Sequence, residues 1–388
     1  MKKISDWFDL NFEQIISIRR HLHQNPEIGY EEKDTSAYLK KIITELGLKV
    51  QCNSEMKYGF YTEIGPFSGK TLAIRCDIDA LPIQDIKKCE YASNVENKMH
   101  ACGHDAHMSI MIGLIKYLKE IESSLKGRIR FIFQPAEECS PGGALSMIAG
   151  NAINNISDII GYHLYPKLNA GKIAIKQGYI SSTVSVIDIS LSCKGGHTSR
   201  PEESVDLVLA TSDLVCNINK KINKMADKES PIVFVFGSIN GGKTFNVIPS
   251  NIKLKGTLRY TNSNLRDLIT EKIKEAINEI ESFYGAKIIF ETSYSSPGIF
   301  NNKELTNLII ASGLKEIGNE NVILLENPSL GGEDFAFYLE QISGVYFRIG
   351  CFDGKATDLH SNYFDIDENS IKTGITILSR TIQDYKYS

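Results

Sequence analysis

Across residues 36–46 the apolar side chains Leu39, Ile42, Ile43 and Leu46 recur at helical spacing, and Gly47 stands where such a helix ends. Two short apolar runs follow, 71–76 and 129–133, each of strand length. Between them, residues 108–121 return to the helical period through Ile112, Ile115 and Leu118. Strands alternating with helices predict an α/β fold built on a mostly parallel sheet covered on both faces. Sheets of that kind bind ligands beyond the carboxyl ends of their strands. Asp77 and Asp79 follow one apolar run, and Glu137 and Glu138 follow the other.

The pattern changes near residue 183. Residues 183–192 alternate like a half-buried strand, and 205–225 are helical. Residues 232–239 and 251–260 are strand-like, 265–284 carry a helical stripe through Leu265, Ile269, Ile273, Ile277 and Ile280, and 286–292 form a last strand. The order βαββαβ predicts a ferredoxin-like sandwich. From Pro297 the earlier alternation resumes. The expected organisation is a catalytic domain over 1–182 and 297–388, interrupted by a lid or dimerisation domain over 183–296. A chain of 388 residues fits two domains better than one core.

Charge and composition remove several classes of function. The net charge of −4 leaves no basic footprint for nucleic acid. Residues 1–13 mix Lys, Asp and Glu with apolar residues and do not read as a secretory signal; no later apolar run approaches membrane-spanning length. Eight scattered cysteines without a CxxC pair read as reduced thiols of a cytoplasmic protein.

The chemistry concentrates in His100-Ala101-Cys102-Gly103-His104-Asp105-Ala106-His107, with three of the eight histidines, a cysteine and an aspartate in one short loop. Thiolate, imidazole and carboxylate together are the ligand types of a divalent-metal hydrolase. Cys102 and His104, two residues apart in an extended loop, are expected to project to the same side and reach one ion. A second ion needs ligands from elsewhere, and His163 and His360 are the candidates. Gly331-Gly332-Glu333-Asp334 reads as a tight loop that brings backbone N–H groups to a ligand. This makes Gly332 a substrate-binding candidate and Glu333 and Asp334 pocket-wall candidates.

Five motifs occur in order: Ile74-Arg75-Cys76-Asp77-Ile78-Asp79-Ala80-Leu81-Pro82, Met99-His100-Ala101-Cys102-Gly103-His104-Asp105, Phe133-Gln134-Pro135-Ala136-Glu137-Glu138, Gly195-Gly196-His197-Thr198-Ser199 and Gly331-Gly332-Glu333-Asp334-Phe335-Ala336. Through them the chain, from about His21 to His360, resembles the di-metal amidohydrolases of the aminoacylase, hippurate hydrolase and indole-acetyl-amino-acid hydrolase family. The resemblance implies that Cys102, His104, Glu138, His163 and His360 bind two divalent ions, with Cys102 bridging and Asp79 supporting from behind. It implies Glu137 as general base and His197 as an oxyanion donor reaching across a homodimer. Asn246 and Arg259 would hold the substrate near its carboxylate. The implied reaction is hydrolysis of N-acyl amino acids, acetyl or aromatic, to a carboxylate and a free amino acid. Thiolate and imidazole favour zinc; mixed oxygen ligation also admits manganese, cobalt or nickel.

The chain departs from the family at Cys139-Ser140-Pro141, where a small residue is usual after the Glu pair, and at Glu202, where one branch carries His. Three other readings remain: a dipeptidase with the same chemistry, a non-catalytic binding protein on this scaffold, and a cysteine-nucleophile hydrolase built on Cys102 and His104. His21 and His23, beside Asn25-Pro26-Glu27, are read as structural. His100 and His107 are read as loop and helix-start residues.

Overall fold

A computed structural model describes residues 4–67, 69–226, 231–355 and 358–387. The strand Thr71–Asp77 is buried at every position, as a central strand covered on both faces must be. It pairs in parallel with Arg128–Gln134 on one side and Asp158–Asn169 on the other. The whole sheet runs Phe60–Ile64, Arg128–Gln134, Thr71–Asp77, Asp158–Asn169, Ser343–Phe352, Ile173–Ile175, Val322–Leu324. Only the Phe60–Ile64 edge and the pairing of Ser343–Phe352 with Ile173–Ile175 are antiparallel. The mixed α/β fold with a mostly parallel sheet is therefore as the pattern predicts.

The chain falls into two compact units: Met1–Ile180 with Phe300–Glu326 and Asp334–Ser388, and Ser181–Ile299 with Asn327–Glu333. In the first unit the helix His104–Glu120 is buried almost all round, the signature of a helix enclosed by its neighbours. It packs against Ile4–Gln24 and Asn369–Asp384. A Cβ on Gly113 would meet Ile375 Cδ1 at 2.4 Å, so glycine is what lets these helices approach.

One ion cluster ties this layer together. Arg19 is fully buried and lies 2.8 Å from Asp105, 3.0 Å from Asp365 and 3.3 Å from Glu368. His23 Nδ1 is 2.8 Å from Asp105 Oδ2, which gives the N-terminal histidine its structural part. Arg19→Ala strands three carboxylates in or near the core. It should cost about 3–5 kcal/mol of stability, read as a lowered urea midpoint; an unchanged midpoint would show that the cluster contributes nothing.

The second unit has the order strand Thr183–Ser192, helix Leu207–Asn223, strands Ile232–Gly241 and Asn251–Tyr260, helix Arg266–Tyr284 and strand Lys287–Ser296. These strands form one antiparallel sheet in the order fourth, first, third, second. Alternate burial along Asn251–Tyr260 turns one face toward the helices. There Ile187, Ile189, Leu214, Ile218, Leu254, Ile269 and Ile273 form a core of their own. Asp206 caps the first helix by accepting from the Val208 and Leu209 N–H groups. The loop Asn327–Glu333 also belongs to this unit, where Arg259 Nη1 donates to the Leu330 carbonyl. Among the described residues no helix is long and apolar enough to cross a membrane.

Candidate metal centre

Cys102 and His104 converge by a different route from the one the sequence suggests. His104 is the first residue of its helix, and Gly103 between them is left-handed at φ +82°. A Cβ on Gly103 would also meet Leu164 Cδ1 at 2.8 Å. A glycine turn at a helix start, rather than extended chain, brings the two side chains together.

Hydrogen bonds fix which imidazole nitrogen faces the site. His104 Nδ1 lies 2.9 Å from the Asp79 carbonyl and 3.1 Å from Asp79 Oδ1. Only an N–H can face a carbonyl oxygen, so Nδ1 carries a proton and Nε2 is the nitrogen left to face a metal. That Nε2 is buried and has no hydrogen-bond partner. His163 repeats the arrangement: Nδ1 donates to the Leu164 carbonyl at 2.7 Å, and Nε2 lies 3.3 Å from Cys102 Sγ. His360, also left-handed at φ +64°, is anchored by its backbone N–H on the Ala101 carbonyl at 2.8 Å. Its Nε2 is 3.1 Å from Glu138 Oε1. Asp79 holds Glu138 as well, since its Oδ2 accepts the Glu138 N–H at 2.9 Å. One aspartate thus orients two candidate ligands, as outer partners of metal ligands do.

The ligand atoms of Cys102, His104 and His163 all lie within 4.8 Å of one another, and so do those of Cys102, Glu138 and His360. The two groups share Cys102. Glu137 clusters with His104 and Glu138. A further buried group, Asp77 with His104 and His107, is of another kind. His107 Nδ1 is 2.6 Å from Asp77 Oδ1, and its Nε2 accepts the Leu164 N–H at 3.0 Å. Both nitrogens of His107 are occupied, so it braces the core.

The electrostatics suit a cation. Burial, then Glu138 and Glu137, push the Cys102 thiol well above its ordinary range, so a thiolate there needs added positive charge. Burial works against charging His104, yet Asp77, Asp79 and Glu138 together push it up to about 10. Burial and neighbouring His107 hold His163 well below the usual imidazole range, which keeps it neutral. An orphaned imidazole Nε2, a thiol and carboxylates in one cluster fit divalent ions, which would displace the His104 proton. A high thiol pKa also disfavours Cys102 as a free nucleophile.

Asp334, a pocket-wall candidate in the sequence, is held by buried partners. It lies 2.9 Å from Arg75 Nη2, accepts from Gln134 Nε2 at 2.8 Å and from the Ala144 N–H at 3.0 Å. Arg75 also grips Asp77 at 2.9 Å and Gln134 Oε1 at 2.9 Å. This buried knot fastens the carboxyl ends of two neighbouring strands, and strand periodicity alone gives no sign of it. The Asp334 carboxylate also has an oxygen within 4.8 Å of one of Glu137.

His197, Asn246, Arg259 and Gly332 belong to the second unit. A short ladder pairs His197 with Val247, which places Asn246 beside His197. The Ser199 N–H donates to His197 Nδ1 at 3.1 Å, so the exposed ring carries its proton on Nε2. Arg259 pairs with the backbone of the loop that contains Gly332. A Cβ on Gly332 would meet Ser296 Oγ at 2.7 Å. The unit therefore groups these four residues as two pairs.

The family model described as peptidase family M20/M25/M40 matches residues 73–384. An N-acetyl-L-cysteine deacetylase of Bacillus subtilis (strain 168) is 34% identical over 359 residues, 92% of this chain and 85% of the relative. The IAA-amino acid hydrolase ILR1-like 4 of Arabidopsis thaliana is 30% identical over 384 residues, 97% of this chain and 86% of the relative. Among solved structures the Bacillus subtilis YXEP protein, described as a dinuclear metal-binding peptidase of the M20 family, is similar at TM-score 0.84. It shares 28% identity over 96% of this chain and 97% of its own. This chain belongs to peptidase family M20/M25/M40 and is a hydrolase of its amidohydrolase branch.

Proposed function

We propose that the protein hydrolyses N-acyl amino acids, acetyl or aromatic, at a site where Cys102, His104, Glu138, His163 and His360 hold two divalent ions. The observation that carries this reading is the pair of ligand clusters sharing Cys102, with Glu137 alongside. The names of the deacetylase and the amino acid hydrolase among the relatives support the substrate class. Zinc suits the thiolate and imidazoles; manganese, cobalt or nickel suit the oxygen-bearing half.

Divalent ions held there supply Lewis acidity, acidifying water and polarising the acyl carbonyl. Glu137 takes the proton of the attacking water and returns it to the departing nitrogen, so that the amino acid leaves as an amine. His197 Nε2–H donates to the oxyanion that develops during attack. The Ser199 bond supports this role, because it fixes the tautomer that can donate. Asn246 and Arg259 orient the substrate's carboxylate end, Arg through donors beyond the one it gives to Leu330, while the Gly332 loop supplies backbone N–H groups. The protein works as a cytoplasmic homodimer in which each site takes His197 from the other copy. Eight unpaired thiols fit that compartment.

A panel of N-acetyl, N-benzoyl and indole-acetyl amino acids tested beside dipeptides with a free α-amine checks the reading. Release of free amino acid from the acylated compounds is expected. Turnover confined to the dipeptides would replace the reading with the dipeptidase one. The shared site has its own test, in which Glu137→Ala and His197→Ala proteins, each inactive, are mixed and allowed to exchange subunits. About a quarter of wild-type activity should return, since half of the dimers are mixed and each of those holds one intact site. No recovery after verified exchange would place His197 in its own subunit's site or outside catalysis.

A further inference from the structure

We infer that Glu32 is the positioning residue that sets the backbone carrying Glu137 and Glu138, an inference that rests on the proposed roles of those two carboxylates. Glu32 is fully buried, and its Oε1 accepts the Ala136 N–H at 2.7 Å. Ala136 is left-handed at φ +52°, a conformation that a residue with a Cβ holds only when its surroundings impose it. Its other polar group is held too, since the Ala136 carbonyl accepts the Gly143 N–H at 2.9 Å. On the far side of Glu137, the Glu138 N–H is held by Asp79. Glu137 is thus bracketed by two clamped neighbours, and one of those clamps is the Glu32 carboxylate.

The ordinary use of Glu32 would be to cap the helix Lys33–Glu45, which begins immediately after it. Glu32 makes no such side-chain bond. Glu27 does that work, accepting the Asp34 N–H at 3.1 Å and the Thr35 N–H at 2.7 Å. Glu32 is left to face the other way. The turn that carries it lies directly on the catalytic loop. A Cβ on Gly29 would sit 2.3 Å from Cys139 Sγ and 3.1 Å from Ala136 Cα, and Tyr30 Oη donates to the Pro141 carbonyl at 2.8 Å. The second carboxylate oxygen of Glu32 is buried without a partner. Burial pushes the Glu32 carboxyl up to about 7, so the neutral acid that glutamine imitates is already populated near neutral pH.

Two variants separate reach from charge. Glu32→Gln keeps an oxygen at the right distance for the Ala136 N–H and loses the charge. Glu32→Asp keeps the charge and loses one methylene of reach. Both are measured beside the wild type and Glu137→Ala, with folding and metal content verified. Glu32→Gln is expected to keep kcat within about threefold of wild type. Glu32→Asp should lose about 100-fold in kcat, the size of a misplaced catalytic group, with KM nearly unchanged. Both variants active, both inactive, or aspartate active with glutamine inactive would each overturn the inference. Glu137→Ala with undiminished turnover would instead remove the base assignment on which it rests.

Discussion

Turnover by the Glu137→Ala protein should fall by about 100- to 10,000-fold, the usual worth of a positioned general base, while its metal content stays at the wild-type level. The reasoning is a division of labour. Two ligand groups can be completed from Cys102, His104, His163, Glu138 and His360 without Glu137. Glu137 nevertheless clusters with His104 and Glu138, where it would reach a water bound beside them. Loss of turnover together with loss of metal would make Glu137 a ligand instead. Unchanged turnover would exclude it from the chemistry.

Cys102→Ala should behave differently, losing metal and turnover together. Cys102 is common to both ligand groups, so its removal weakens each of them. Changing an outer partner of a metal ligand already costs about 10- to 100-fold in affinity, and a shared thiolate should cost at least as much. Metal titration of the variant, with turnover read in the same samples, checks this. Full metal binding with no turnover would revive the cysteine-nucleophile reading, and retention of both would remove Cys102 from the site.

Much of the fold was legible because its signals are local. The alternation of Asn251–Tyr260 and the stripe from Ile269 to Ile280 each specify an element on their own. Of the ligand candidates, Cys102 and His104 stood out because they share one loop crowded with histidines, whereas Glu138, His163 and His360 lie outside it and were assigned as ligands only through the family resemblance. What escaped was what depends on distant residues. Asp334 lies far along the chain from its partner Arg75, and no period in the sequence links them. The convergence of Cys102 with His104 was expected for the wrong geometric reason, because only a glycine's handedness distinguishes a helix start from extended chain. Nothing in the local sequence around Glu32 points to Ala136, because their bond joins segments far apart in the chain.

The central claim is that turnover depends on two divalent ions held by residues from separate segments of the chain. It is tested most directly by dialysing metal-stripped protein against increasing zinc or manganese and reading bound metal and N-acyl amino acid hydrolysis in the same samples. The account predicts no turnover in the stripped protein, saturation at about two equivalents per chain, and full activity only there. Full hydrolysis by protein that contains no divalent metal would contradict it.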